Sequence, residues 1–493
     1  MRLLPGALLL LCAMLAPVAE SIAQAAPRTT LSLEEALEIA RRNNPQYLQS
    51  ITGRSRAAAA VRSAFGSLLP SADASMGASF REGRTQFFNG VAFGATSDII
   101  SSSWNLSANS RFSLNTFNQI KSARAGMDAA DADVDAALYS LRNGVTAQFL
   151  FALQTQARAT LQDTLMSQQR LQLQLAQARA GVGAGTSLDV KRAEVGLGTQ
   201  EVAALRARNT AEVARLQLFQ QLGVAMPVDV QLTADLPMEL PTFQMDELLD
   251  IARRENPTLL SLQARARVAD AGLKAARGEY TPTLSLSANI GAFTQKQQNI
   301  DIALQQATAG AAASRASCFT TDSLRVRASM PSIAAQCNAI AFTPAQAAQL
   351  RENNNRFPFD FTRNPYTLSM GLSLPLFDGF GREQRLQSAD ANRTDARYNV
   401  RRQELALTAD VTSALVTLRA ARQAAGLQER NATTAAEALQ LAEERYRVGA
   451  STFVDLTTAR TEYERAQTDR IDAVYEFHRA FAALEAAVGR TIR

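Results

Sequence analysis

The sequence predicts a mainly α-helical chain with a membrane β-barrel segment, laid out as two tandem structural repeats. Three observations predict it. A 13-residue stretch returns 212 residues later, each half holds a long proline-free run, and four stretches change hydrophobic period from 3.5 to 2.

The repeat comes first. Leu33–Pro45 reappears as Met245–Pro257 with eight of 13 positions identical, and the same offset carries Pro70 onto Pro282. Further on, Phe112-Ser113-Leu114 matches Leu372-Ser373-Leu374 at an offset of 260, and Val182-Gly183-Ala184 with Asp189 matches Val448-Gly449-Ala450 with Asp455 at 266. The first repeat is placed at 26–243 and the second at 244–493. The jump from 212 to 260 puts a 48-residue insertion in the second copy, inside residues 294–364.

Residues 1–25 read as a secretory signal peptide: Arg2, an apolar run from Leu8 to Leu15, then the small-x-small pattern Ala23-Gln24-Ala25. Cys12 is then lost with the signal, which leaves Cys318 and Cys337 in an oxidising compartment, where a disulfide between them is expected. Both lie in the loop-like insertion, which reads either as an extracellular loop or as a disordered excursion.

Proline is absent from 71–226 and from 376–493, as uninterrupted helix requires, because an interior proline costs about 3 kcal/mol. Ala414, Leu418, Ala421, Ala425, Gln428, Ala432, Ala435, Leu439, Ala442 and Tyr446 keep the 4,3 spacing of a coiled-coil seam. Helices over 119–180 and 379–446 would each reach roughly 90 to 100 Å at 1.5 Å per residue.

Four strands of about 10 residues are expected at 71–80, 104–114, 282–293 and 366–376, each with one greasy and one polar face. A soluble sandwich gives the same alternation. Four strands, however, leave two open edges, and lipid offers no partner for unpaired backbone groups. In a membrane the barrel must close between chains, and three copies would supply 12 strands.

Composition narrows the chemistry. A single histidine, His478, flanked by Phe477 and Arg479, and scattered cysteines leave little for zinc sites or nucleophilic triads, so no enzyme chemistry is expected. The formal charge of +5 forms no basic stripe, because arginines alternate with acids, and no nucleic-acid partner, cofactor or metal is expected.

A helix-turn-helix pattern occurs twice, with tips near 181–186 and 447–452. Arg179-Ala180-Gly181-Val182-Gly183 runs into Thr186-Ser187-Leu188-Asp189, and Arg445-Tyr446-Arg447-Val448-Gly449 into Thr452-Phe453-Val454-Asp455. Glycine ends one helix and Thr-x-x-Asp starts the next, so both aspartates have a capping role.

These features resemble the TolC family of outer-membrane efflux and secretion ducts. The resemblance rests on the tandem halves, the Asn-Pro break after a first amphipathic helix, Leu374-Pro375-Leu376-Phe377-Asp378-Gly379, and the doubled Arg-x-x-Val-Gly turn. It implies a homotrimer whose 12 strands form an outer-membrane barrel, continued by a periplasmic α-barrel. Arg179, Val182, Gly183, Arg445, Val448 and Gly449 would form the tip that docks a periplasmic adaptor (membrane fusion protein) serving an inner-membrane RND, ABC or MFS transporter. Asp189, Tyr446 and Asp455 would form the periplasmic gate. Ser451 and Thr458 stand where the family pattern has a gate arginine and a second ring aspartate. The expected function is a passive duct for small molecules, drugs or secreted proteins; the alternative is a soluble periplasmic coiled-coil adaptor or scaffold.

Overall fold

The computed structural model describes residues 30–89, 91–227, 230–238 and 243–492; the expected signal peptide lies outside them. The chain folds as two units. One comprises residues up to Ala57, Gly126–Ala266 and Asp395 onward, the other Ala58–Ala125 and Arg267–Thr394.

In chain order the elements are β1 (Thr30–Leu31), α1 (Leu33–Asn43), α2 (Pro45–Gly66), β2 (Ser71–Arg81), β3 (Thr85–Phe88), β4 (Val91–Ala95), β5 (Ile99–Ser113), α3 (Leu114–Gly181), α4 (Ser187–Leu222) and β6 (Gln231–Leu232). The second half follows with α5 (Met245–Glu255), α6 (Pro257–Gly278), β7 (Thr283–Gln297), α7 (Ile300–Arg327), α8 (Ala334–Ala339), α9 (Pro344–Asn354), β8 (Thr362–Arg363), β9 (Thr367–Ser373), α10 (Gly381–Arg447) and α11 (Phe453–Val488). Helices α1 to α4 span 11, 22, 68 and 36 residues; their counterparts α5, α6, α10 and α11 span 11, 22, 67 and 36.

In the first unit each repeat is pinned at its Asn-Pro break. A residue before proline is driven out of the helical region, so Asn44 (ψ 120°) and Asn256 (ψ 115°) end α1 and α5 in extended backbone. The next proline then starts a new helix at no cost in hydrogen bonds. Asn44 Oδ1 accepts from the Tyr47 N–H (3.0 Å) and its Nδ2 donates to the Gln221 carbonyl (2.7 Å). Asn256 repeats this with the N–H groups of Thr258 and Leu259 and the Ala487 carbonyl. The carbonyls it reaches belong to the last turns of α4 and α11, which end at Gly223 (φ 79°) and Gly489 (φ 98°). A Cβ at Gly223 would lie 2.4 Å from the Asn43 carbonyl oxygen, and one at Gly489 would lie 2.6 Å from Asn256 Cα. Glycine is required there for conformation and for space.

Around these breaks lie the apolar clusters of Phe149, Leu218 and Leu222 in the first repeat and Phe477, Phe481 and Leu484 in the second. Along α10 the expected seam is buried at Leu418, Ala421, Ala425, Ala432, Leu439 and Tyr446. His478 is buried against the Phe477 ring at 5.1 Å, a packing histidine.

In the second unit β2, β5, β7 and β9 form an antiparallel sheet in that order, with β8 also on β7. The repeats join at β5–β7, which pair without a register shift from Ile99↔Gln297 to Ser113↔Thr283. Register sorts the faces. Ala74, Leu106 and Ile290 lie in one row, and Ala72, Ala108, Ala288 and Leu368 in another. On the opposite face Asp73, Ser107, Asn289 and Thr367 share a row, and Ser287 and Ser369 hydroxyls bond at 2.6 Å. Along β9 the apolar face is uncovered: Leu368, Met370 and Leu372 are 76, 75 and 73 % exposed. The outer edges of β2 and β9 pair with no described strand. Among the described residues no helix is long and apolar enough to cross a membrane.

The structure differs from expectation at several strand ends and in the insertion; β7 runs on to Gln297, four residues past the expected 293. β5 begins at Ile99, five residues early, because Ile99–Ser103 pair with the extended end of β7. β9 stops at Ser373, short of 376, since Pro375 removes an amide. The 294–364 insertion is not a disordered excursion. It carries α7, α8 and α9, because Asn299 caps α7, Thr343 and Gln346 form a capping box on α9, and the intervening residues are alanine-rich. Cys318 on α7 and Cys337 on α8 are disulfide-bonded across 19 residues.

Candidate functional site

The two glycine turns sit in the first unit and have the same hydrogen bonds, residue for residue. After α3 the Gly183 N–H donates to the Ala180 carbonyl and the Ala184 N–H to that of Arg179; after α10, Gly449 donates to Tyr446 and Ala450 to Arg445. Gly183 (φ 75°) and Gly449 (φ 80°) are left-handed, the conformation that closes a helix C-terminus.

The helices that leave the turns begin with capping boxes. Asp189 accepts from the Thr186 N–H (3.2 Å) and hydroxyl (2.7 Å), and its own N–H donates to Thr186 Oγ1. Asp455 accepts from the Thr452 N–H (2.9 Å) and hydroxyl (2.8 Å) in the same way. The Thr452 N–H, followed by its hydroxyl, holds the Asp455 carboxyl below the usual carboxylate range. Both aspartates are thus capping residues, Asp455 exposed and Asp189 half-buried.

Tyr446 has a different environment. Its buried ring lies under the Arg179 guanidinium at 4.6 Å and edge-on to Phe453 at 6.0 Å. Arg179 Nη1 also donates to the Tyr446 backbone carbonyl at 2.5 Å. Burial first, and the Asp189 charge after it, raise the tyrosine pKa against the opposing pull of Arg179. Its hydroxyl makes no hydrogen bond among the described residues. Ala176, Ala193, Leu439 and Leu456 complete a small apolar cluster in which the first repeat's hairpin packs on the second's.

The structure therefore brings Arg179, expected at the docking surface, onto Tyr446. Asp189 and Asp455 stay with their threonines. Ser451 Oγ is buried with no hydrogen-bond partner among the described residues, and the Thr458 hydroxyl donates to the Val454 carbonyl in its own helix. Neither replaces the family's charged links. A buried cation between the same hairpins is Arg460, which sequence reasoning missed. It is buried, with Nη2 on Glu443 (2.9 Å) and Nη1 on Gln169 (3.4 Å), and so ties α11 to α10 and α3. Nothing in the sequence separates it from the other arginines; only its apolar neighbours Leu456 and Tyr463 mark a buried stripe.

What the turns expose is apolar. Val182 and Val448 are 80 and 79 % exposed, and the equivalent pair Leu188 and Val454 are 55 and 54 %. Arg445 is exposed beside them.

A family model described as outer membrane efflux protein matches residues 36–224 and 248–490. The chain belongs to the outer membrane efflux protein family. The two matched segments fall on the two repeats. Nodulation protein T of Rhizobium leguminosarum bv. trifolii is 24% identical over 375 residues, 75% of this chain and 67% of that protein. Protein CyaE of Bordetella pertussis is 24% identical over 374 residues, 75% of this chain and 66% of that one. The chain thus spans about two thirds of each relative's length. In structure it is similar to CusC (TM-score 0.69, 15% identity, 96% of each chain). The outer-membrane channel OprN gives a TM-score of 0.69 at 19% identity, covering 93% of this chain and 90% of that one. The Neisseria gonorrhoeae MtrE outer membrane channel gives 0.65 at 18%, covering 93% and 89%. At these identities the likeness establishes the fold. This efflux protein is an outer-membrane channel of the TolC-like kind, with a long periplasmic helical part. A soluble scaffold does not account for a sheet whose apolar face is uncovered.

Proposed function

We propose that the protein is a passive exit duct that works as a homotrimer, and that the observation carrying this reading is the sheet of β2, β5, β7 and β9 with one apolar face, one hydroxyl-rich face and two edges that pair with no described strand. Lipid demands that both edges be paired, and the edge of one copy fits the opposite edge of the next. Three copies give 12 strands, with the serine and asparagine rows facing a wet lumen. The duct performs no catalysis; energy comes from an inner-membrane transporter of the RND, ABC or MFS class.

The two tips serve that transporter through a periplasmic adaptor. Val182, Val448, Leu188 and Val454 offer it an apolar contact, and Gly183 and Gly449 shape the turns. Arg179 on Tyr446 holds the two hairpins together at the closed end. Three Asp455 carboxylates at a narrow mouth favour cations.

Planar-bilayer recording on purified protein tests this reading. Wild type should show a small, cation-preferring conductance, and Arg179→Ala should raise it several-fold. A protein that inserts no channel under any gate substitution would contradict it.

A further inference from the structure

The insertion, once seen as three helices, raises the question of which side of the sheet it lies on. Its near end is fixed to the strand ends. The Gln298 N–H donates to the Asp98 carbonyl and the Asn299 N–H to Ser97 Oγ. Its far end returns to the same place. Asn354, at the end of α9, bonds both the N–H (2.6 Å) and the carbonyl (2.9 Å) of Gln297.

Strand parity decides the side. Leu284, Leu286 and Ile290 lie on the apolar face, so Ala292, Thr294 and Lys296 follow on it toward the far end, with Ser102 opposite Thr294 and Trp104 opposite Ala292. Ala292, Thr294 and Ser102 are only 3, 4 and 6 % exposed, whereas Ser103, Phe293 and Gln295, on the hydroxyl-rich face at the same level, are exposed. The Ser102 hydroxyl donates to the Pro358 carbonyl at 2.8 Å, so the segment returning from α9 crosses the apolar face. The insertion covers the outside of the rim and leaves the lumen side open.

Its outward surface carries the chemistry of a membrane boundary. Phe359, next to Pro358, is 73 % exposed; Phe80, opposite Ile100, is 61 % exposed. Lys296 and Arg363, the latter opposite Ala292 and so of the same parity, are exposed and make no ion pair among the described residues. Arg356 is paired with Asp360. Aromatic rings and free cations just above an apolar band are what headgroups of an anionic leaflet bind.

We infer that the insertion is a collar on the outer wall of the barrel mouth, and that Phe359, Lys296 and Arg363 seat it on phosphate-bearing lipid headgroups of the outer leaflet. This inference rests on the channel reading. The disulfide and the Asp322 carboxylate, which accepts from the Ser332 hydroxyl and the Ile333 N–H, keep α7 and α8 together above that contact.

Trp104 is the only tryptophan in the chain and lies on the apolar face, which permits a two-probe test. The full-length protein is reconstituted in phosphatidylglycerol vesicles containing lipid brominated near the headgroup. Wild type reports Trp104, and Trp104→Phe/Phe359→Trp reports the collar. The collar probe should be quenched at least twofold by brominated lipid and little by aqueous iodide. Adding Lys296→Glu and Arg363→Glu should cut that quenching by half or more while leaving Trp104 in its own background unaffected. Quenching of the collar probe by iodide alone, with Trp104 still quenched by lipid, would overturn the collar and leave the channel reading intact. If Trp104 itself were not quenched by lipid, both would fall. Substituting an exposed side chain leaves the packing in place, and Trp104 is the control for insertion.

Discussion

At the residue scale, the proposed duct closes at its tip through Arg179 stacked over the Tyr446 ring. Tyr446→Phe keeps that stack and the backbone bond from Arg179, so it should leave conductance close to wild type. Tyr446→Ala removes the ring and should open the tip several-fold, as Arg179→Ala should. A hydroxyl-based gate would rank these the other way, and single-channel recording separates the two. Arg460 acts from inside the same interface. Its guanidinium is buried with Glu443 as counter-ion, so Glu443→Ala strands a charge and should destabilise the hairpin pair more than Glu443→Gln; thermal unfolding of the periplasmic part measures this. For Asp455 the sign follows from its lowered pKa. The ionised cap contributes stability that is fully present above the ordinary carboxylate value and lost as pH falls through the lowered one. Cation preference should therefore hold from pH 7 to about 4 and fade below, given an unperturbed value near 3.9. Asp455→Asn should lack it throughout, and reversal potentials in a salt gradient report it.

At the element scale, the Asn-Pro breaks are the fasteners of each repeat. Asn256→Ala strands two backbone N–H groups and the Ala487 carbonyl, at a cost of about 1 to 3 kcal/mol per group left unsatisfied. Asn44→Ala should cost a similar amount, and denaturation followed by circular dichroism checks both. The disulfide closes a loop for which chain entropy gives about 3 kcal/mol. Reducing it should speed amide exchange in α8 and leave conductance unchanged, since the insertion does not cover the lumen face. Elements whose signals are local were legible from sequence: α1 and α5 from their repeat and caps, the tips from glycine and Thr-x-x-Asp, and the α10 seam from its spacing. The insertion was not, because its alanines and serines form no 3.6-residue stripe and its helices are held by one cystine and by Asn354, a contact 57 residues away. The contact of Arg179 with Tyr446 was not legible for a related reason: a motif position tells which turn it belongs to, but its side chain is placed by the partner hairpin.

At the scale of the whole molecule, the strand edges that pair with no described strand decide how the sheet can sit in lipid. Alternation in the sequence was enough to find the four strands and their two faces, since period 2 is intrinsic to a strand. It could not supply strand order, which depends on β5 of one repeat meeting β7 of the other. With that order known, β2 and β9 are the two edges, and both carry apolar residues that the described chain leaves uncovered. Native mass spectrometry of detergent-extracted protein tests this most directly. Three copies in one particle, dissociating only when the sheet unfolds, is the predicted result. A stable single chain whose Trp104 remains buried in detergent or lipid would contradict it.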